Sequence, residues 1–216
     1  MKKILFILSL LALTANLSAQ ITHTAGGAVD ENAQKILSQA QKTLNSSAHT
    51  FTVTMVNKDA NKKESARMSA KVIYFNGKYK VTFGQQVMIS DGASVWQINK
   101  QGKEVIVDKA STSTDDLLNP GLLLANYNKN FKAKFIRKDE DGTAIIDMTP
   151  LKSKSYHKVR LFVNSANGVI KKMEMHNYDG SCGTYTISNF AATKTDASTF
   201  TYSASNYPGF EVIDMR

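Results

Sequence analysis

The chain has 216 residues, 42% of them hydrophobic, which is enough for one good-sized domain or two small ones. Its 27 lysines and arginines outnumber 18 acids for a net charge of +9. These bases are scattered in pairs such as Lys62-Lys63 and Lys171-Lys172, which fits a solvated surface or anionic lipid head groups and argues against nucleic acid as a partner. The lone cysteine, Cys182, excludes an internal disulfide, so stability must come from a packed core.

The chain opens with Met1-Lys2-Lys3, the apolar run Ile4 to Leu13 and Leu17-Ser18-Ala19 before Gln20. A basic start, a short apolar middle and a small-residue cut site are the marks of a secretory signal peptide over 1–19, cleaved near Ala19-Gln20. No later segment approaches the roughly 20 apolar residues of a spanning helix, so an exported, soluble product is expected, and its charge falls from +9 to +7 with the loss of Lys2 and Lys3. Cys182 lies far from the cut site, which excludes lipidation there. Residues 20–29 are small and polar and read as a flexible leader. From residue 30 to 216 no linker interrupts the pattern, and one domain is expected.

Behind Asp30, a residue able to cap first-turn amides, Ala33, Ile36, Leu37, Ala40 and Leu44 recur at helical spacing. After His49 the period drops to two. "TFTVTMVN" alternates Phe51, Val53 and Met55 with threonines, "ARMSAKVIYF" and "KYKVTF" flank Asn76-Gly77, and "QQVMIS" and "ASVWQIN" flank Asp91-Gly92. Asn-Gly and Asp-Gly supply the positive φ angles of tight hairpins, and "KEVIVD" extends the meander. Residues 111–128, "STSTDDLLNPGLLLANYN", interrupt it with Leu117, Leu118, Leu122, Leu123 and Leu124 around Pro120. Proline breaks a regular helix, which predicts two short helical pieces or a bent one. Strands resume with "FKAKFIRK", "TAIIDMTP", "HKVRLFVN", "VIKKMEMHNY" and "CGTYTISNF", and a short strand "TFTY" precedes the tail "NYPGFEVIDM". The fold class is mainly β with α: about 11–12 strands in an antiparallel sheet too large to stay flat, which curls while helices cover one face.

Signals of catalysis are thin. His23, His49, His157 and His176 are dispersed without ligand spacing. Asp115-Asp116 reads as a helix cap and Asp139-Glu140-Asp141 as a solvated turn. There is neither a nucleophile elbow nor a phosphate loop. No enzyme, metal site or cofactor is expected.

Several of these segments, taken in order, resemble the LolA-type carriers of outer-membrane lipoproteins. The leading helix runs into a Phe-bearing strand in "ILSQAQKTLNSSAHTFTVTM". "SDGxxxW" is matched by Ser90-Asp91-Gly92 with Trp96, the middle crossover by "NPGLLLA", and a strand ending in Thr-Pro by "IIDMTPLK". "VNSANGVIKKMEMHNYDGS" and the tail "FTYSASNYPGFEVID" complete the order. Better-known members carry Arg-Pro where this chain has Asn76-Gly77, so no latching role is carried over to that turn.

The resemblance implies an incomplete barrel with helices lying as a lid across its apolar concave face. It implies a monomeric periplasmic chaperone that takes acylated lipoproteins from an inner-membrane release complex to an outer-membrane acceptor, with transient membrane contact. Carriage of other lipids, or sensing of them, on the same fold is the alternative. The cavity candidates are Phe51, Val53, Met55, Met68, Val72, Tyr74, Met88, Trp96, Met148 and Met173. The lid candidates are Ile36, Leu37, Leu117, Leu118, Leu122 and Leu123. Methionine suits such a wall because its unbranched thioether repacks readily. Alternation leaves open which phase of each strand faces the cavity, since runs such as "VIYF" are apolar on both sides.

Overall fold

The alternation after His49 becomes a sheet with two dissimilar faces. The computed structural model describes residues 29–111, 120–125 and 127–216. The expected signal peptide, nearly all of the leader, Asp115-Asp116, Leu117 and Leu118 lie outside the described residues. The first hairpins are β1 (His49–Lys58), β2 (Glu64–Phe75), β3 (Lys78–Phe83), β4 (Gln86–Ser90), β5 (Ser94–Asn99) and β6 (Glu104–Lys109). After the crossover come β7 (Phe131–Lys138), β8 (Thr143–Pro150), β9 (Tyr156–Asn164), β10 (Ile170–Asn177), β11 (Cys182–Ala192) and β12 (Glu211–Asp214). Among the described residues these twelve strands form one curled sheet that is not closed into a barrel, in the order β12-β6-β5-β4-β3-β2-β1-β11-β10-β9-β8-β7. Every neighbouring pair is antiparallel except β12, which adds to β6 in parallel. The long-range pairing of β1 with β11 joins the two meanders at the centre.

Turn chemistry sets the hairpins, in two different ways. Asn76 and Gly77 both take positive φ, 46° and 80°, as a two-residue turn between β2 and β3 requires. At Asp91-Gly92 only Gly92 does, with φ 93°. Asp91 instead accepts hydrogen bonds on Oδ1 from the amides of Ala93 and Ser94, each 2.8 Å, so its side chain, and not its backbone, shapes that turn.

The tail departs from expectation as well. "TFTY" is not a strand: residues 197–200 form a short 3-10 turn capped by Asp196, because the Asp196 carboxylate competes for the local amides. The strand lies further on, in "EVID". In the leucine-rich crossover the described residues include two short helical pieces, the first being α2 (Pro120–Ala125). A short α3 (Tyr127–Asn130) leads into β7.

The helix predicted behind Asp30 is α1 (Glu31–Asn45), and it buries Ala33, Leu37, Ala40 and Leu44 against the inner face of the sheet. Asp30 does more than cap it. One carboxylate oxygen accepts from the amide of Ala33 at 3.0 Å, and the other accepts from the amide of Phe135 on the edge strand β7 at 2.9 Å. Those amides hold the carboxyl below its ordinary pKa. One side chain thus pins the start of α1 to the rim of the sheet. Asp30→Ala should destabilise the protein by roughly 2 kcal/mol through the lost cap and the lost strand contact together. Urea unfolding measures this, and an unchanged midpoint would remove the pin.

The outer face is polar over β8 to β10, where Arg160 meets Asp147 through two bonds of 2.6 and 2.8 Å. There Lys172 lies 3.7 Å over the Phe162 ring. Over β4 to β6 the outer face is apolar instead. Val87, Ile89, Ile98, Val105 and Val107 form a small second core there, covered by Tyr202, Tyr207 and Phe210 of the tail.

Candidate functional site

Strand register decides which side chains meet on the inner face. Directly opposed residues share a face, and the face alternates along each strand. Val53 stands opposite both Ile187 and Ala70. One step outward, Met173, Tyr185, Met55 and Met68 make a row across β10, β11, β1 and β2. These rows, with Phe51, Val72, Val81, Phe83, Leu161 and Ile170, wall an apolar cavity of about 910 Å³, its open mouth included. Pro120 and Leu123 of α2 form its roof. Because six strands converge on one space, the inner face is the concave one. An adjoining hollow runs beneath Ala40, Thr43 and Leu44 of α1 and shares Phe51, Pro120, Ile170 and Ile187 with the first.

Of the ten cavity candidates, the structure gathers six around this space: Phe51, Val53, Met55, Met68, Val72 and Met173. Met68, 38% exposed, stands at the mouth. Tyr74, Met88 and Met148 are on the same face but pack in the core beside the cavity, and Met148 is wholly buried. Trp96 is on the wrong face. It pairs with Ile89 and Val107, the phase that points outward, and it stacks on Tyr202 at 6.3 Å. The large apolar surface of Trp96 anchors the tail to the sheet, because alternation from the inward Val95 sends the next side chain out.

Among the lid candidates, Leu123 is buried in the roof, Leu122 is half-buried, and Leu37 and Ile36 pack on the core from α1 without lining the cavity. The wall residues outside the prediction are Ala70 of β2 and others from β3 and β9 to β11. Tyr185 and Ile187 alternate with Thr184, Thr186 and Ser188 just as Phe51 and Val53 alternate with threonines, and that shared pattern was the available signal.

Reactive groups are few near this space. Ser47 Oγ and His49 Nε2 approach to 3.4 Å, but this pair is outside the cavity wall. His49 is stacked on Phe190 at 4.5 Å, and burial holds its pKa below the ordinary histidine value. Among the described residues no carboxylate bonds to His49, so the pair lacks the orienting group that an activated nucleophile needs. His157 and His176 come within 6.2 Å of one another across β9 and β10, although their sequence spacing gave no sign of it. No group of three or more metal donors forms among the described residues. No described helix is long and apolar enough to cross a membrane.

Comparison with known proteins bears on this architecture. The family model described as outer membrane lipoprotein carrier protein LolA matches residues 77–203, which take in β3 through β11. Among solved structures, an uncharacterized conserved protein from Thermus thermophilus is similar at TM-score 0.59 and 13% identity, over 85% of this chain and 99% of that one. A LolA superfamily protein from Nitrosomonas europaea aligns at TM-score 0.45 and 15% identity, over 79% and 97%. The MucA/MucB complex of Pseudomonas aeruginosa aligns at TM-score 0.42 and 12% identity, over 80% and 62%. At such identities the likeness to the Thermus protein shows a shared fold. No curated protein matches the chain.

Proposed function

This chain belongs to the family of the outer membrane lipoprotein carrier protein LolA, and from that premise we propose that it shields the acyl chains of lipoproteins and carries them from the inner to the outer membrane. The observation that supports this reading is an apolar cavity on the concave side of an open sheet, roofed by a short helical segment. Exposing an acyl chain to water costs about 0.8 kcal/mol per CH₂, so a long chain represents roughly 10 kcal/mol. A carrier must offset that cost without holding its cargo irreversibly. Met55, Met68 and Met173, in one row of the wall, suit this requirement because methionine repacks around irregular shapes.

In this reading the chain works in the periplasm as a monomer of one domain, receiving cargo from a release complex and surrendering it to an acceptor. Pro120, Leu122 and Leu123 act as the lid. The role requires no bond-making step, cofactor or metal.

Mass spectrometry of what co-purifies with residues 20–216 from an envelope extract of the native host tests the reading. Acylated lipoproteins in near-stoichiometric amount are expected. Free lipids alone would withdraw the lipoprotein assignment in favour of a carrier or sensor of other lipids.

A further inference from the structure

Along the inner face a polar side chain, Asn57, enters the rows of β1. One row beyond Met173, Tyr185, Met55 and Met68 stand Met175, Gly183, Asn57 and Ala66, about 7 Å further along the strands. Here a second hollow opens, lined by Asn57, Lys58, Ser65 and Gly183 among others, and Tyr185 belongs to the walls of both. The two spaces therefore adjoin across one phenol ring.

Gly183 makes room for two side chains at this junction. A Cβ there would come within 3.3 Å of Asn57 Oδ1 and within 3.3 to 3.4 Å of the Tyr185 ring and hydroxyl, so those two polar groups lie over bare backbone. Among the described residues, neither the Asn57 amide nor the Tyr185 hydroxyl bonds to another part of the chain. Burial pushes the phenol above its ordinary pKa. Asp59 supplies the nearby carboxylate, but one of its oxygens is taken by the Lys63 amide at 2.9 Å. The Tyr185 hydroxyl and the Asn57 side-chain NH₂ each offer a donor where the wall that suits hydrocarbon ends.

We propose that Asn57 and Tyr185 form a polar subsite for the ester carbonyls of a diacylglyceryl group whose tails occupy the apolar cavity. This rests on the carrier reading above and adds to it the part of the cargo that is read by hydrogen bonds. The ester carbonyl is an acceptor without a proton, which suits these two donors. It also marks the depth at which hydrocarbon ends, so the subsite fixes how far the tails enter. A lipoprotein and a phospholipid share this chemistry.

The test compares ester-linked with ether-linked probes of equal chain length, which differ only in the carbonyls. Binding to the mature chain is followed by fluorescence competition for a synthetic diacylated lipopeptide, its diether analogue, and a diacyl phospholipid with its diether analogue. The native chain should prefer the ester lipopeptide over its ether analogue by roughly tenfold. Asn57→Ala/Tyr185→Phe should lose the preference, the ester probe weakening toward the affinity of the ether probe. Tyr185→Phe alone keeps the ring and, should the double variant fold poorly, must lose part of the preference. A native chain that binds both probes equally, or a variant that retains the preference, overturns the subsite and leaves the carrier reading standing. An ester preference seen with phospholipid and not with lipopeptide supports the subsite and reassigns the cargo. Failure of every probe to bind overturns the carrier reading and the subsite together.

Discussion

Leu123→Asp should leave the sheet folded and weaken the binding of an acylated peptide by roughly two orders of magnitude or more. Leu123 is 6% exposed and lines the roof of the cavity. A carboxylate there would face hydrocarbon from every strand of the opposite wall. Burying an unpaired charge costs several kcal/mol, and each 1.4 kcal/mol is a factor of about ten in affinity. The wall offers no partner, since its side chains are apolar apart from the Tyr185 hydroxyl at the mouth. The roof would lift and the cavity would flood. α2 contributes no strand to the sheet, so circular dichroism should stay near that of the unaltered chain. Leu122→Asp, at a half-buried position, should have the same sign and a smaller size. Unchanged affinity for the acylated peptide in the Leu123 variant would remove α2 from the lid.

Gly168→Ala should destabilise the protein by about 2–4 kcal/mol, a large loss for the addition of one methyl group. Gly168 lies in the turn between β9 and β10 with φ +73°, a conformation that an L side chain adopts at a cost of roughly 1–2 kcal/mol. The added Cβ would also stand 2.7 Å from the carbonyl oxygen of Gln39 and 2.8 Å from Thr43 Oγ1. The first of these atoms is helix backbone and cannot rotate away. Overpacking of this kind adds roughly 1–3 kcal/mol. Relief would require α1 to move off the turn, breaking the 2.6 Å bond from the Thr43 hydroxyl to the Asn167 carbonyl and unseating Leu37, Ala40 and Leu44 from the core. The urea midpoint should fall with an unchanged slope. A loss under about 1 kcal/mol would mean that α1 is not held at this turn.

Much of the architecture was legible from local chemistry. The helix start at Asp30 follows from capping, the Asn76-Gly77 hairpin from the φ preferences of its residues, and the threonine-spaced strand β1 from alternation. All three act within a few residues. Less legible was the face of each strand. In β2 both Ile73 and Val72 are apolar, and only the pairing of Val72 with Phe51 and Val81 sends Val72 inward. Trp96 misled for the same reason: a large aromatic beside a turn looks like part of a binding wall, until register turns it outward onto Tyr202.

Composition, turn residues and hydrophobic period therefore determined, from the sequence alone, the mainly β class, the run of hairpins and the leading amphipathic helix, because each rests on interactions between near neighbours in the chain. The tertiary structure alone decided three things. The tail, and not Trp96's own hairpin, receives the tryptophan; "EVID" becomes a parallel edge strand; and methionines from three strands meet in one row before the polar step at Asn57. Each depends on pairing between segments far apart in sequence, as in the ladder that sets Asn57 beside Gly183. A one-residue slip in such a ladder would reverse every side chain, and nothing local to either strand specifies it.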